Sequence, residues 1–323
     1  MNSLPHILLL GAGFSRNWNG WLANEIGGDV AGRVAADRYL SEVLSRADGF
    51  EDALSQIQSE YKSSPNAENK ARLDKFQGAI LATFGSMNDA FARLLQLNFC
   101  NDLEFDIFKF LVRFDAIFTL NQDLLLELKY QRQMEIPAYP RWNGCQFPGM
   151  VPRHDGSGRT DALSLTWQPE ANFSVSSNLQ PIFKLHGSTN WRDRDGGQLL
   201  VMGADKSAII REKIILRSYA DQFLRYLSAP GTRLMVIGYG FLDSHINDLI
   251  YRGWQASQLS MFIVDPSGRS ILRAINPTSR RPIYCPGPLE EITIIGDSTR
   301  LLSSTFGGND RLEHGKLWRF LSA

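Results

Sequence analysis

The stretch His6-Ile7-Leu8-Leu9-Leu10-Gly11-Ala12-Gly13-Phe14-Ser15 decides the fold. Four consecutive aliphatic residues closed by a turn of small residues read as a strand buried on both faces. That pattern belongs to a parallel sheet covered by helices, not to an alternating, half-solvated strand. Short apolar runs return at Asp115–Leu120, Pro181–Leu185, Arg233–Ile237, Met261–Val264 and Ile292–Ile295. Between the later ones lie helical patterns, such as Ile246, Leu249, Ile250 and Trp254 behind the N-cap candidate Asp243. The expected class is therefore α/β, a doubly wound, Rossmann-like parallel sheet. Phe50, Leu54, Ile57 and Tyr61 share a helical face, as do Leu73, Phe76, Ile80 and Phe84, so a large helical insertion over about 22–114 separates the first two strands. The segment 141–180, rich in Gly, Pro, Ser and Asn, reads as a long loop and a candidate lid, with Trp142 and Trp167 as its apolar closing surfaces. The whole of 1–323 is read as a single domain.

The 323 residues carry 34 basic and 34 acidic side chains, and 43% of them are hydrophobic. Such a chain buries a substantial core, and its balanced charge offers no footprint for nucleic acid or an anionic membrane. Cys100, Cys145 and Cys285 stand far apart with no C-x-x-C pair, which excludes a disulfide framework and a zinc ribbon. Met1 to Pro5 has no basic run, and Ile7 to Leu10 is too short for a signal core or a span, so a cytoplasmic protein is expected.

Chemistry-bearing residues gather where strands end. Gly11, Ala12 and Gly13 allow close backbone approach to a pyrophosphate, although a plain strand-to-helix turn uses the same residues. Thr119-Leu120-Asn121-Gln122-Asp123 turns abruptly polar; Asn121 and Asp123 serve either a ligand or the cap of the next helix. Lys184-Leu185-His186-Gly187-Ser188-Thr189-Asn190-Trp191 delivers an imidazole to a strand's carboxyl end. Gly238-Tyr239-Gly240-Phe241 and Asp265-Pro266 close two later strands, the latter with an acid suited to a ribose hydroxyl.

Taken in order, Gly-Ala-Gly-Phe-Ser, Leu-Asn-Gln-Asp, Lys-Leu-His-Gly-Ser-x-Asn-Trp, Ile-Gly-Tyr-Gly-Phe-x-Asp-x-His-Ile-Asn and Val-Asp-Pro resemble the sirtuin superfamily. More narrowly, they resemble the bacterial sirtuin-like NAD hydrolases of antiphage defence. The resemblance implies a sirtuin-type sheet with NAD as substrate. Gly11, Ala12, Gly13, Phe14 and Ser15 would hold the pyrophosphate, and Asp123 would shape the nicotinamide-ribose pocket beside the catalytic pair Asn121 and His186. Gly187, Ser188, Gly238, Tyr239 and Asp265 would line the adenosine side. Two departures matter. The four-cysteine zinc module of the deacylases cannot be built from three cysteines, and the first block continues Arg16-Asn17-Trp18 where deacylases carry an acid and an arginine. The expectation is an NAD glycohydrolase that releases nicotinamide and ADP-ribose, or a cyclic form, without a metal, as an NAD-depleting defence effector. Its expected assembly is a homo-oligomer or a complex with an ATPase or nucleic-acid-sensing protein. The alternatives are a non-catalytic NAD or ADP-ribose sensor and a zinc-independent deacylase.

Overall fold

The computed structural model describes residues 5–131, 141–154, 163–203, 205–273 and 289–322. The chain opens with β1 (His6–Leu10) and the short α1 (Ala12–Arg16). It continues through α2 (Ala23–Val34), α3 (Arg38–Arg46), α4 (Phe50–Ser63), α5 (Ala67–Arg93) and α6 (Ile107–Leu111) before β2 (Ala116–Thr119). A π-helical turn at Leu126–Gln131 precedes a run of strands: β3 (Cys145–Gln146), β4 (Met150–His154), β5 (Leu165–Pro169), β6 (Gln180–Lys184), β7 (Gly187–Arg192) and β8 (Gln198–Leu200). Then come α7 (Lys206–Glu212), α8 (Ile214–Leu227), β9 (Arg233–Ile237), α9 (Ser244–Ser257), β10 (Ser260–Val264), β11 (Thr293–Ser298), α10 (Leu302–Thr305) and α11 (Arg311–Ser322).

Seven strands form one parallel sheet in the order β11-β10-β9-β1-β2-β6-β3. Leu8 of β1 pairs with Ile117 on one side and Met235 on the other, and all three are fully buried, which is why those strands read as unbroken apolar runs. From β1 the chain winds outward through β2 and β6, then crosses back to β9 on the opposite side of β1. The crevice at the carboxyl ends of β1 and β9 is therefore the topological switch point, where sheets of this kind bind ligands.

The helical insertion is anchored by local chemistry as well as by burial. Asp37 and Asn66 accept hydrogen bonds from Leu40 N (3.1 Å) and Asn69 N (2.8 Å), capping α3 and α5. Phe76, Ile80, Phe84 and Phe91 line the buried face of α5.

The segment 141–180 differs from the loop expected of it. Its described parts form β3, β4 and β5, and β4-β5-β7-β8 make a second, four-stranded sheet. Trp167 is no closing surface. It is buried, edge-on to Phe147 at 5.0 Å, in a cluster that includes Trp191. Only the first residue of β4 is buried and β3 is two residues long, so neither carries enough periodicity to announce a strand. No helix among the described residues is long and apolar enough to cross a membrane. Cys100 and Cys145 form no disulfide among the described residues, and Cys285 lies outside them.

Candidate functional site

Two glycine turns meet at the switch point. Gly11 N donates to Ile237 O (3.0 Å) and Gly13 N to Gly238 O (2.9 Å). Gly238 has φ +64°, and a Cβ there would stand 2.4 Å from the backbone of Gly13; one on Gly11 would stand 2.4 Å from Gly238 O. Backbone touches backbone, and a side chain at either turn would force them apart. A cavity of about 1370 Å³ opens at this crossing. Gly11, Ala12, Gly13, Asn121, Asp123, His186, Gly238, Tyr239 and Asp265 all line it. Phe14, Ser15, Gly187 and Ser188 do not: the Phe14 ring packs on Trp18 in the core, and Ser15 and Ser188 are buried beneath the cavity.

Those buried serines set the lining residues in place. Asn121 Nδ2 donates to Ser15 Oγ (3.0 Å), and Ser15 Oγ donates to Asp123 Oδ2 (2.8 Å). Asp123 Oδ1 accepts from Leu125 N (3.0 Å) at the entry to the helical turn, so this residue serves the expected cap as well as lining the cavity. The Asn121 side-chain oxygen takes no hydrogen bond from the described residues, so its amide is held by one end and presents the other. Under this row lies Lys184 at the end of β6. Its Nζ donates to Asp123 O (2.6 Å), Ser188 Oγ (2.7 Å) and Glu127 Oε1 (2.5 Å). Burial pushes the Asp123 and Glu127 carboxyls up, and the Lys184 charge opposes part of that rise.

His186 sits in the turn from β6 into β7, made possible by Gly187 at φ +72°. Its Nε2 lies 2.9 Å from His245 Nε2, near the start of α9. Asp243 occupies the N-cap position of α9, but its side chain does not cap; it takes a 2.8 Å ion pair with Lys206, which also binds Glu51 at 2.7 Å. The stronger electrostatic partner wins the carboxylate from the helix end. Burial pushes the His186 imidazole down to about 3 against the pull of Asp243, so the ring is neutral at pH 7. Burial raises the Asp243 carboxyl, but the His186 ring and the Lys206 ammonium outweigh it, leaving Asp243 at about 2.

These displacements have a sign. Between its ordinary pKa of about 6.5 and the folded value, the unfolded chain binds a proton at His186 that the native protein does not. Its contribution to stability is complete above that window and is lost as pH falls through it, by up to about 1.4 kcal/mol per pH unit. Asp243 acts in the same direction further down, below its ordinary value near 3.9. Urea midpoints measured at falling pH are expected to decline more steeply for the wild type than for His186→Gln; equal slopes would refute the neutral, buried imidazole.

A family model described as SIR2-like domain matches residues 115–280, from the start of β2 past the end of β10. The chain belongs to this family. No curated protein matches the chain. SIR2-like domains bind NAD, and the cavity suits that ligand: the glycine turns offer bare backbone for the phosphates, and Asp265 closes β10 on the far side. Within the SIR2-like match the fold brings Asn121, Asp123, His186, Gly238, Tyr239 and Asp265 to one cavity, and it draws in Gly11 to Gly13 from outside the match.

Sequence reasoning passed over His245, Lys206, Glu51, Glu127 and Lys184 as site residues. His245 left a trace as the third residue of the polar run that follows Phe241-Leu242, and Lys184 as the opening residue of the His186 block. His186, Asp243 and His245 offer donor atoms within 4.8 Å of one another, a grouping that cysteine spacing could not reveal when no metal was expected. A dication there would share its carboxylate with the Lys206 ammonium, which repels it.

Proposed function

We propose that this SIR2-like protein is an NAD glycohydrolase. The observation that carries the reading is the meeting of Asn121 and His186, from the ends of two different strands, in the cavity formed over the Gly11–Gly13 and Gly238 turns. Cleavage breaks the bond between the ribose anomeric carbon and the nicotinamide nitrogen, which keeps the electron pair and leaves neutral. Positive charge builds on the ribose, a water attacks the anomeric carbon, and one proton is released. The free amide oxygen of Asn121 orients a ribose hydroxyl or the water, and the neutral imidazole of His186 takes the proton. Asp265, whose Oδ1 already accepts from Ser267 N at 2.8 Å, keeps acceptor capacity for an adenosine ribose hydroxyl. Three cysteines cannot supply the deacylases' zinc module, which favours water over an acyl group as the acceptor. The biological setting we propose is NAD depletion in bacterial antiphage defence, restrained by self-assembly or by an ATPase or nucleic-acid-sensing partner.

Chromatography of NAD incubated with the pure protein across a concentration series tests this. Nicotinamide is expected to appear one for one with the NAD lost. NAD that binds but stays intact would make the protein a sensor.

A further inference from the structure

We propose that His245 is the second half of the base: His186 and His245 act as a pair that takes up the proton released when NAD is hydrolysed. The inference rests on the hydrolysis reading and adds a residue to it. Two bare imidazole lone pairs repel at 2.9 Å, so one of the two facing nitrogens carries a hydrogen and the pair holds an Nε2–H···Nε2 bond. Alone, His186 is a poor base, because burial disfavours its cation. Shared between two rings, the cation keeps that hydrogen bond in charge-assisted, stronger form. Asp243 supplies the counter-charge at both rings; Lys206, fixed by Glu51, opposes it, and a charge on His245 opposes one on His186, so the pair holds one proton and not two. His245 is less buried than His186 and lines the same cavity, so the proton has an exit toward solvent.

The proton balance is direct. The attacking water loses one O–H bond and forms one C–O bond, the glycosidic C–N bond breaks with its electrons going to nicotinamide, and the freed proton converts two neutral imidazoles into one imidazolium hydrogen-bonded to one imidazole. That proton then passes to bulk water, restoring the pair.

Glutamine separates a base from a mere support, since its amide can hydrogen-bond His186 but cannot accept a proton. His245→Ala and His245→Gln are both expected to lose about a hundredfold in kcat, with KM for NAD changed by no more than about twofold. Free imidazole should restore part of the alanine variant's rate and none of the glutamine variant's. Wild-type turnover in either variant would overturn the pair, the glutamine result by showing that His245 only orients His186. If the wild type leaves NAD intact, the hydrolysis reading fails on its own, and nitrogen NMR of the imidazoles in the full chain still decides whether a proton is shared. The two rings are expected to titrate in coupled steps, collapsing to a single step for His186 in His245→Gln. Independent titration, or stoichiometric metal in the purified protein, would contradict the shared proton.

Discussion

Replacing His186 with alanine is expected to lower the rate of nicotinamide release by about a hundredfold or more, the range that a positioned general base contributes. Asn121→Ala should have a comparable effect by a different route. Its amide bond to Ser15 is lost, but Ser15 keeps its 2.8 Å bond to Asp123, so the cavity wall stands while the oxygen facing the substrate is gone. Neither side chain supports a large share of the core, and both variants should unfold in one cooperative transition close to that of the parent. Steady-state rates beside thermal melts check both halves of the expectation. Undiminished turnover in the two variants would remove the catalytic assignment.

Lys184→Met carries the largest expected effect on stability, a loss of about 3–5 kcal/mol, because it strands the carboxylate of Glu127 in the interior. Lys184 and Glu127 are 1% and 2% exposed, and Glu127 Oε2 already lacks a hydrogen-bond partner among the described residues. The same ammonium holds Asp123 O and Ser188 Oγ, so turnover should fall along with stability. Adding Glu127→Leu to Lys184→Met removes the stranded charge and should recover much of the lost stability, since a buried ion pair and an apolar pair of similar volume are often close in energy. Urea unfolding of the three variants measures this. A loss under about 1 kcal/mol in Lys184→Met would mean that water reaches Glu127 and the network is not a dry support.

What could be read in the sequence follows from what burial does to a pattern. The strands β1, β2, β9 and β10 showed themselves because a parallel strand covered on both faces must be apolar at nearly every position, whereas β6 and the half-exposed edge strand β11 showed only short apolar runs. The second sheet stayed hidden because its strands are short and mostly half-exposed, so β4 offers Pro152, Arg153 and His154 where a periodic signal would need alternation. At the site, residue type revealed the positions but not the direction of the side chains. Ser15 and Ser188 looked like ligand contacts, yet each turns inward to satisfy a buried charge, Asp123 in one case and Lys184 in the other. Asp243 stood in the right place for a helix cap and spends its carboxylate on Lys206, which lies 37 residues away in sequence and is brought to it only by the fold. His245 could not be paired with His186 before the turn after β9 and the turn after β6 were known to face one another.

Hydrolysis of NAD in water enriched in oxygen-18, followed by mass spectrometry of the products, bears most directly on this function. If the SIR2-like cavity cleaves the glycosidic bond with water as acceptor, nicotinamide should appear in step with ADP-ribose that carries one heavy oxygen from the solvent. Release of nicotinamide only when an acyl-lysine peptide is present, or NAD that remains whole under every protein concentration tried, would contradict it.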